Sequence, residues 1–319
     1  MAIQVLLDKL GPEIEDPEEE TFLLFSQEIP SQNLGFVDSK ATTIDLTIGG
    51  NDYTINQSPT ILNRPGSTTG AVIWKITPLL AEWFARRDEN LLWTTGALRS
   101  ESCVLELGCG ISGLVGLVLS GMMERGQYVL TDQQYVARLV EKNIEENRRK
   151  FSSKSSSSSQ NRRGKSSSSS VTAGATSQPL SNLRFSPLDW ELDEVNPSLT
   201  GSDDVDSFDA IIACDCIYND TLIRPLVQTC ADACRLRVND SHHTQAITGG
   251  GANGSNGRDP TICIVAQQLR DPEIFEGWIK EFSRLFRVWR VPEGELSREL
   301  RANTGFVVHV GILKEIASG

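Results

Sequence analysis

The spacing of apolar positions changes several times along the chain. Residues 1–35 are acidic and weakly patterned. ATTIDLTIGGNDYTIN then alternates apolar and polar residues on both sides of Gly49-Gly50-Asn51-Asp52, which predicts a β-hairpin with a tight turn. In TTGAVIWKITPLLAEWFARR the spacing becomes helical: Pro78 suits a first turn, and Leu79, Leu80, Trp83 and Phe84 fall on one face. From Cys103 onward short apolar runs alternate with amphipathic ones. VLEL, QYVLTD, NLRFSPLDW, FDAIIACDCIY and TICIVAQQ read as strands, and FRVWRV and GFVVHVGILK add two more. Between them lie the helical stretches GLVGLVLSG, QQYVARLVEKNIEEN (Val136, Leu139, Val140 and Ile144 on one face), a run through Leu222, Leu226 and Cys230, and Pro272 to Phe286. This order predicts an α/β, Rossmann-like fold with a seven-stranded, mostly parallel sheet. The last two strands have a short connection and are expected to pair antiparallel. The expected organisation is an extension over residues 1–70 that carries the hairpin, then one domain over residues 71–319.

Two inserts break the pattern. Residues 152–178 are dominated by serine, and between Asn147 and Leu188 there is no acid, while eight lysines and arginines give +8. With a net charge of −12 for the whole chain, the rest carries −20. So little apolar surface predicts disorder for 152–178. TGGGANGSNGRDP supplies a second, glycine-rich loop over residues 248–259. An acidic chain of pI about 4.8 is a poor binder of phosphate backbones and suits a basic partner, so no direct nucleic-acid binding is expected. Neither a basic-then-apolar leader nor an apolar run of the ~20 residues that a membrane helix needs is legible. Seven cysteines, an odd number, lie mostly in apolar strands and helices. They are expected to be reduced thiols of a cytoplasmic chain, or a nuclear one, acting as a monomer. Cys214 and Cys216 are expected on one strand face, and Cys230 and Cys234 on one helix face. Neither pair has the spacing of a zinc ribbon, and no metal site is expected.

The candidate chemistry begins at VLELGCGISG, residues 104–113. Gly108, Gly110 and Gly113 have the spacing G-x-G-x-x-G, with a strand before and a helix after. Such a loop lets backbone approach a ligand at a helix start. Asp132, at the tip of the next strand, is placed to bind ribose hydroxyls. Glu106 argues against a dinucleotide, because a carboxylate under a pyrophosphate repels it. It suits S-adenosylmethionine, which carries an ammonium and a sulfonium and no phosphate.

These residues resemble a known family. ELGCGISG resembles the first motif of class I methyltransferases. TGAVIWKITPLL resembles the tryptophan-bearing segment of the methyltransferase-like 21 group of protein lysine methyltransferases. LDW, residues 188–190, resembles that group's adenine-side segment, and DCIY, Asp215 to Tyr218, its D-x-x-Y motif. With ETFLLFSQ, the hairpin and QSPTILNRPGSTTG in front, the chain is similar to the fungal ribosomal lysine methyltransferase 5 type over about residues 20–150 and 180–315. The resemblance implies a class I methyltransferase fold, S-adenosylmethionine as cofactor, and methylation of a lysine in a large-subunit ribosomal protein of the L1 type. It implies that Trp74 walls the donor pocket and that Gly108, Cys109 and Gly110 pass under the methionine part. Asp132 would hold the ribose, Trp190 and Cys214 would line the adenine, and Asp189 is a candidate acceptor for the adenine amine. Asp215 and Tyr218 would face the target lysine as the catalytic pair. Three rivals stand beside this reading: a nucleic-acid or small-molecule methyltransferase, a donor-binding scaffold without catalysis, and a nicotinamide oxidoreductase. The first is disfavoured by DCIY standing where a Pro-Pro-aromatic motif is expected, the last by Glu106.

Overall fold

A computed structural model describes residues 1–61, 69–160, 179–248 and 258–315. The sheet strands are β3 (Cys103–Leu107), β4 (Gln127–Asp132), β5 (Leu183–Pro187), β6 (Ala210–Cys214), β7 (Ile262–Gln268), β8 (Phe286–Arg290) and β9 (Phe306–Leu313). They form one seven-stranded sheet in the order β5-β4-β3-β6-β7-β9-β8. β5 to β7 run parallel, while β9 inserts between β7 and β8 and is antiparallel to both. The expected sheet and its antiparallel finish are therefore present. Every residue of β3, β6 and β7 is buried, the pattern of strands covered on both faces.

On one face lie α3 (Ile76–Ala85), α4 (Leu91–Thr94), α5 (Leu114–Met122) and α6 (Ala137–Gln160). There Leu80 and Phe84 pack with Val104, Leu117, Val140 and Ile212. On the other face α7 (Asp220–Thr248) and α8 (Pro272–Leu285) cover Leu105, Ile211 and Val265 with Val227, Trp278 and Phe282. α8 starts at the Asp271 carboxylate, which accepts the N–H groups of Glu273 and Ile274.

The hairpin joins β1 (Thr43–Ile48) to β2 (Asn51–Asn56) through Gly49 and Gly50. Both glycines have positive φ, as a two-residue turn of matching twist requires. The free edge of β2 is closed by two buried asparagines of α6. Asn143 accepts from the Asn56 N–H and donates to the Asn56 carbonyl; Asn147 does the same for Thr54. They pair β2 as another strand would.

Three local departures from the sequence-based expectations have physical causes. The first 35 residues hold two helices, α1 (Ala2–Leu10) and α2 (Pro17–Phe25). Leu6 and Leu10 enter one core and Leu24 the other, so the extension packs on the main sheet. α6 runs on to Gln160, into the stretch expected to be disordered, because lengthening a formed helix needs no new nucleus. The rest of that expectation, 161–178, and most of the glycine-rich loop, 249–257, lie outside the described residues. Finally, Cys214 and Cys216 do not share a face: Asp215 between them has φ 60°, which turns the chain. Cys214 joins the core under α3, and Cys216 the core under α7.

Candidate active site

The strand order reverses between β3, which continues to β4, and β6, which begins the other half. In such sheets ligands sit beyond the carboxyl ends of the strands at this switch point. A cavity opens there, and all ten residues expected in the donor and catalytic sites line it: Trp74, Glu106, Gly108, Cys109, Gly110, Asp132, Trp190, Cys214, Asp215 and Tyr218. Asp189 lines it too.

The glycines are required by contact. Gly108, Gly110 and Gly113 all have positive φ. A Cβ on Gly108 would stand 2.7 Å from Cys216 Sγ and 3.0 Å from the Trp190 ring, and one on Gly110 would stand 3.1 Å from the Gly70 carbonyl. The loop thus passes between Trp190 on one side and the segment before α3 on the other. Asp132 braces it: Oδ2 accepts the Gly110 N–H at 2.9 Å and Oδ1 the Gln133 N–H at 2.7 Å. Burial raises the Asp132 carboxyl above the ordinary range, and the two N–H groups oppose that rise. Trp190 Nε1 is buried with no hydrogen-bond partner among the described residues.

Glu106 stands at 2% exposure in β3, beneath the loop, and accepts a 2.7 Å hydrogen bond from the Tyr128 hydroxyl. Burial pushes its carboxyl up to about 7, against the Tyr128 bond and the Gly116 N–H. Asp189 is already engaged, accepting the Glu191 N–H and the Gln133 side-chain amide. The adenine-amine role implied for it competes with these bonds.

Asp215 caps β6 in the left-handed region, with its side chain 1% exposed. Oδ1 accepts the Gln268 N–H at 3.3 Å, and Oδ2 accepts the Gln268 side-chain amide at 2.8 Å and the Arg270 guanidinium. Burial raises this carboxyl too, and Arg270 opposes it most strongly. The Arg270 guanidinium carbon lies over the Trp74 ring, 4.2 Å from its centroid. Phe36 packs on Trp74 as well, with ring centroids 4.1 Å apart. Gln268 also accepts the Gly35 N–H at 2.6 Å. The N-terminal segment therefore reaches the wall of the site. Gln268 and Arg270 escaped sequence reasoning, although they stand at the carboxyl end of the fifth strand, where the sheet's geometry places functional groups. Tyr135, three residues after Asp132, also lines the cavity.

The charge of the lining decides what the cavity can accept. Glu106, Asp132, Asp189, Glu191 and Asp215 contribute five carboxyls, and no lysine or arginine lines it among the described residues. A pyrophosphate would be repelled; a cationic ligand with a ribose and an aromatic base would not. The family comparison agrees: residues 55–161, which include the glycine loop and Asp132, match the profile described as lysine methyltransferase. Over these residues the chain is similar to the lysine methyltransferase family. S-adenosylmethionine, the methyl donor, fits the character of the cavity, which is acidic, glycine-lined for close backbone approach, and carries an indole.

Individual relatives point the same way. The chain is 32% identical over 223 residues to ribosomal lysine N-methyltransferase 5 of Zygosaccharomyces rouxii, covering 62% of this chain and 65% of that protein. It is 28% identical over 203 residues to the protein of the same name in Saccharomyces cerevisiae, covering 51% and 55%. It is also 26% identical over 293 residues, 91% of this chain, to a Schizosaccharomyces pombe protein named diaminohydroxyphosphoribosylamino-pyrimidine deaminase, of which it covers 57%. The chain thus spans about 55–65% of the length of these relatives. The zinc-deaminase signature, H-x-E followed by P-C-x-x-C, does not occur in the sequence. No group of three metal-ligating side chains occurs among the described residues. No helix among them is long and apolar enough to cross a membrane.

Proposed function

We propose that this chain is a methyltransferase that transfers methyl groups from S-adenosylmethionine to a lysine ε-amine of a basic protein, specifically a large-subunit ribosomal protein of the L1 type. The observation that carries the reading is the placing of a buried carboxylate, Asp215, on the wall of a cavity that no lysine or arginine lines among the described residues. The names of the Zygosaccharomyces and Saccharomyces relatives support a ribosomal substrate. The net charge of −12 fits a basic one.

Bound S-adenosylmethionine supplies a sulfonium-activated methyl: the amine lone pair forms the N–C bond as the C–S bond breaks and its electrons return to sulfur. The chain's task is to present a neutral amine in line. A lysine with an ordinary pKa of about 10.4 must first lose a proton, and an apolar, desolvated channel favours that loss. Glu106 and Asp132 hold the donor by its charge and ribose. Asp215 orients the amine through the acceptor capacity that Gln268 and Arg270 leave on Oδ1, and Tyr218 shapes the mouth of the channel. The proton then leaves the methylated ammonium to water.

The test is incubation with isotope-labelled donor and purified large-subunit ribosomal proteins, read by peptide mass spectrometry. Label on a lysine of one protein is expected. Label in RNA, or calorimetric binding of NAD and not of S-adenosylhomocysteine, would overturn the reading.

A further inference from the structure

Asp215 raises a difficulty for the proposed chemistry. A lone buried carboxylate would either take up a proton or hold the incoming lysine as an ammonium, which has no lone pair for attack. The structure places two groups against it that change both outcomes. The Arg270 guanidinium is ion-paired to Oδ2 and is fixed from behind by stacking on Trp74, itself packed on Phe36. Gln268 donates from its backbone and its side chain, and its amide is oriented by the Gly35 N–H. Arg270 does not line the donor cavity; it lines the neighbouring groove with Tyr218, Gln268 and Asp271. The guanidinium thus contacts the acid from outside the lining of the donor cavity.

We propose that Arg270 is a positioning residue for methyl transfer: from its seat on Trp74 it keeps the Asp215 carboxylate charged and fixed in direction, and its own charge cancels the pull of that carboxylate on a lysine ammonium. The inference rests on the lysine methyltransferase reading above. The other ionisable groups facing Asp215 offer no substitute. Cys214 and Cys216 are thiols raised by burial, Tyr218 is a phenol, and Glu106 and Asp132 across the cavity are acids.

The primary test does not depend on finding the substrate. Infrared difference spectra of the full chain at neutral pH are recorded for wild type, Arg270→Gln and the double variant Arg270→Gln/Asp215→Asn. A protonated-carboxyl band additional to that of Glu106, which all three retain, is expected in Arg270→Gln and in neither of the others. Its absence from Arg270→Gln would overturn the inference. Binding of S-adenosylhomocysteine by calorimetry verifies that each variant is folded. With ribosomal protein as substrate, Arg270→Gln should lose roughly 100-fold in kcat. The slope of log kcat/KM against pH should steepen by one proton on the acid side, because Asp215 must now ionise as well. Arg270→Lys keeps a charge but loses the planar fork, and serves if the glutamine variant does not fold. It should show no carboxyl band beyond that of Glu106 and an intermediate kcat, and wild-type kcat in both Arg270 variants would sink the proposal. A wild-type chain that binds donor but methylates no lysine would refute the proposed function instead, while the infrared band would still report on the pair.

Discussion

Glu106 carries a carboxyl that titrates near the pH of a cell because it is buried without a cation. Binding a positively charged donor should favour its ionised form. Between the ordinary glutamate range and about 7 the free chain holds a proton there that the donor complex gives up. Calorimetry in buffers of differing ionisation enthalpy is therefore expected to show proton release on donor binding, and affinity should rise as pH climbs through about 7. In Glu106→Gln the release should vanish and affinity fall about 10-fold or more; unchanged release would place the titrating group elsewhere. Gly108 makes a second residue-scale case. Alanine there would meet Cys216 and Trp190 at backbone angles disfavoured for a side chain. Gly108→Ala should cost about 1–3 kcal/mol of stability and most of the donor binding, measured by urea titration and calorimetry. Glu106 and the glycines were legible because local spacing alone announces a cofactor loop. Arg270 was not, because its role depends on β7 lying beside β6, with Trp74 and Phe36 brought over from far earlier in the chain.

At the scale of elements, the strands were readable because a parallel sheet covered on both faces needs continuous apolar runs, and VLEL, AIIAC and ICIVAQQ supply them. α2 was harder to read, although its start carries the usual marks: Asp16 caps the N–H groups of Glu18 and Glu19, and Pro17 follows. Its exposed Phe22 and Leu23 blur any single apolar face, so the stretch reads as an acidic run. The α6 asparagines were invisible for another reason. A polar residue in a helix looks solvent-facing until a strand edge is known to lie against it. Asn147→Leu should leave the N–H and C=O of Thr54 without partners. A loss of about 2 kcal/mol is expected in denaturant unfolding, with hydrogen-exchange protection of the hairpin lost first. Uniform exchange across hairpin and sheet would contradict this account.

For the whole molecule, the N-terminal 35 residues are tied to the far edge of the sheet by Glu20. This buried acid of α2 meets His309 Nε2 at 2.9 Å in β9 and lies 3.5 Å from Arg290 in β8. Burial pushes its carboxyl up, but the bond to His309 and the charges of His309 and Arg290 outweigh that and bring it below the ordinary range. A lowered acid stabilises the fold above the unfolded-state value, and the contribution is lost as pH falls through the folded one. Glu20→Gln should therefore cost about 2 kcal/mol near neutrality, and the gap to wild type should close in acid. A gap that persists unchanged at low pH would assign the cost to packing alone.

The seven free thiols, all buried and divided between the two sides of the sheet, give the fold a built-in clock. A small disulfide reagent can label a thiol only while its surroundings are open. Cys109, Cys214 and Cys216 time the opening of the donor cavity they line, and Cys230, Cys234 and Cys263 time the separation of α7 from β7. Donor should slow the first group alone, so cofactor-gated breathing and global unfolding can be distinguished in one chain without introducing a probe.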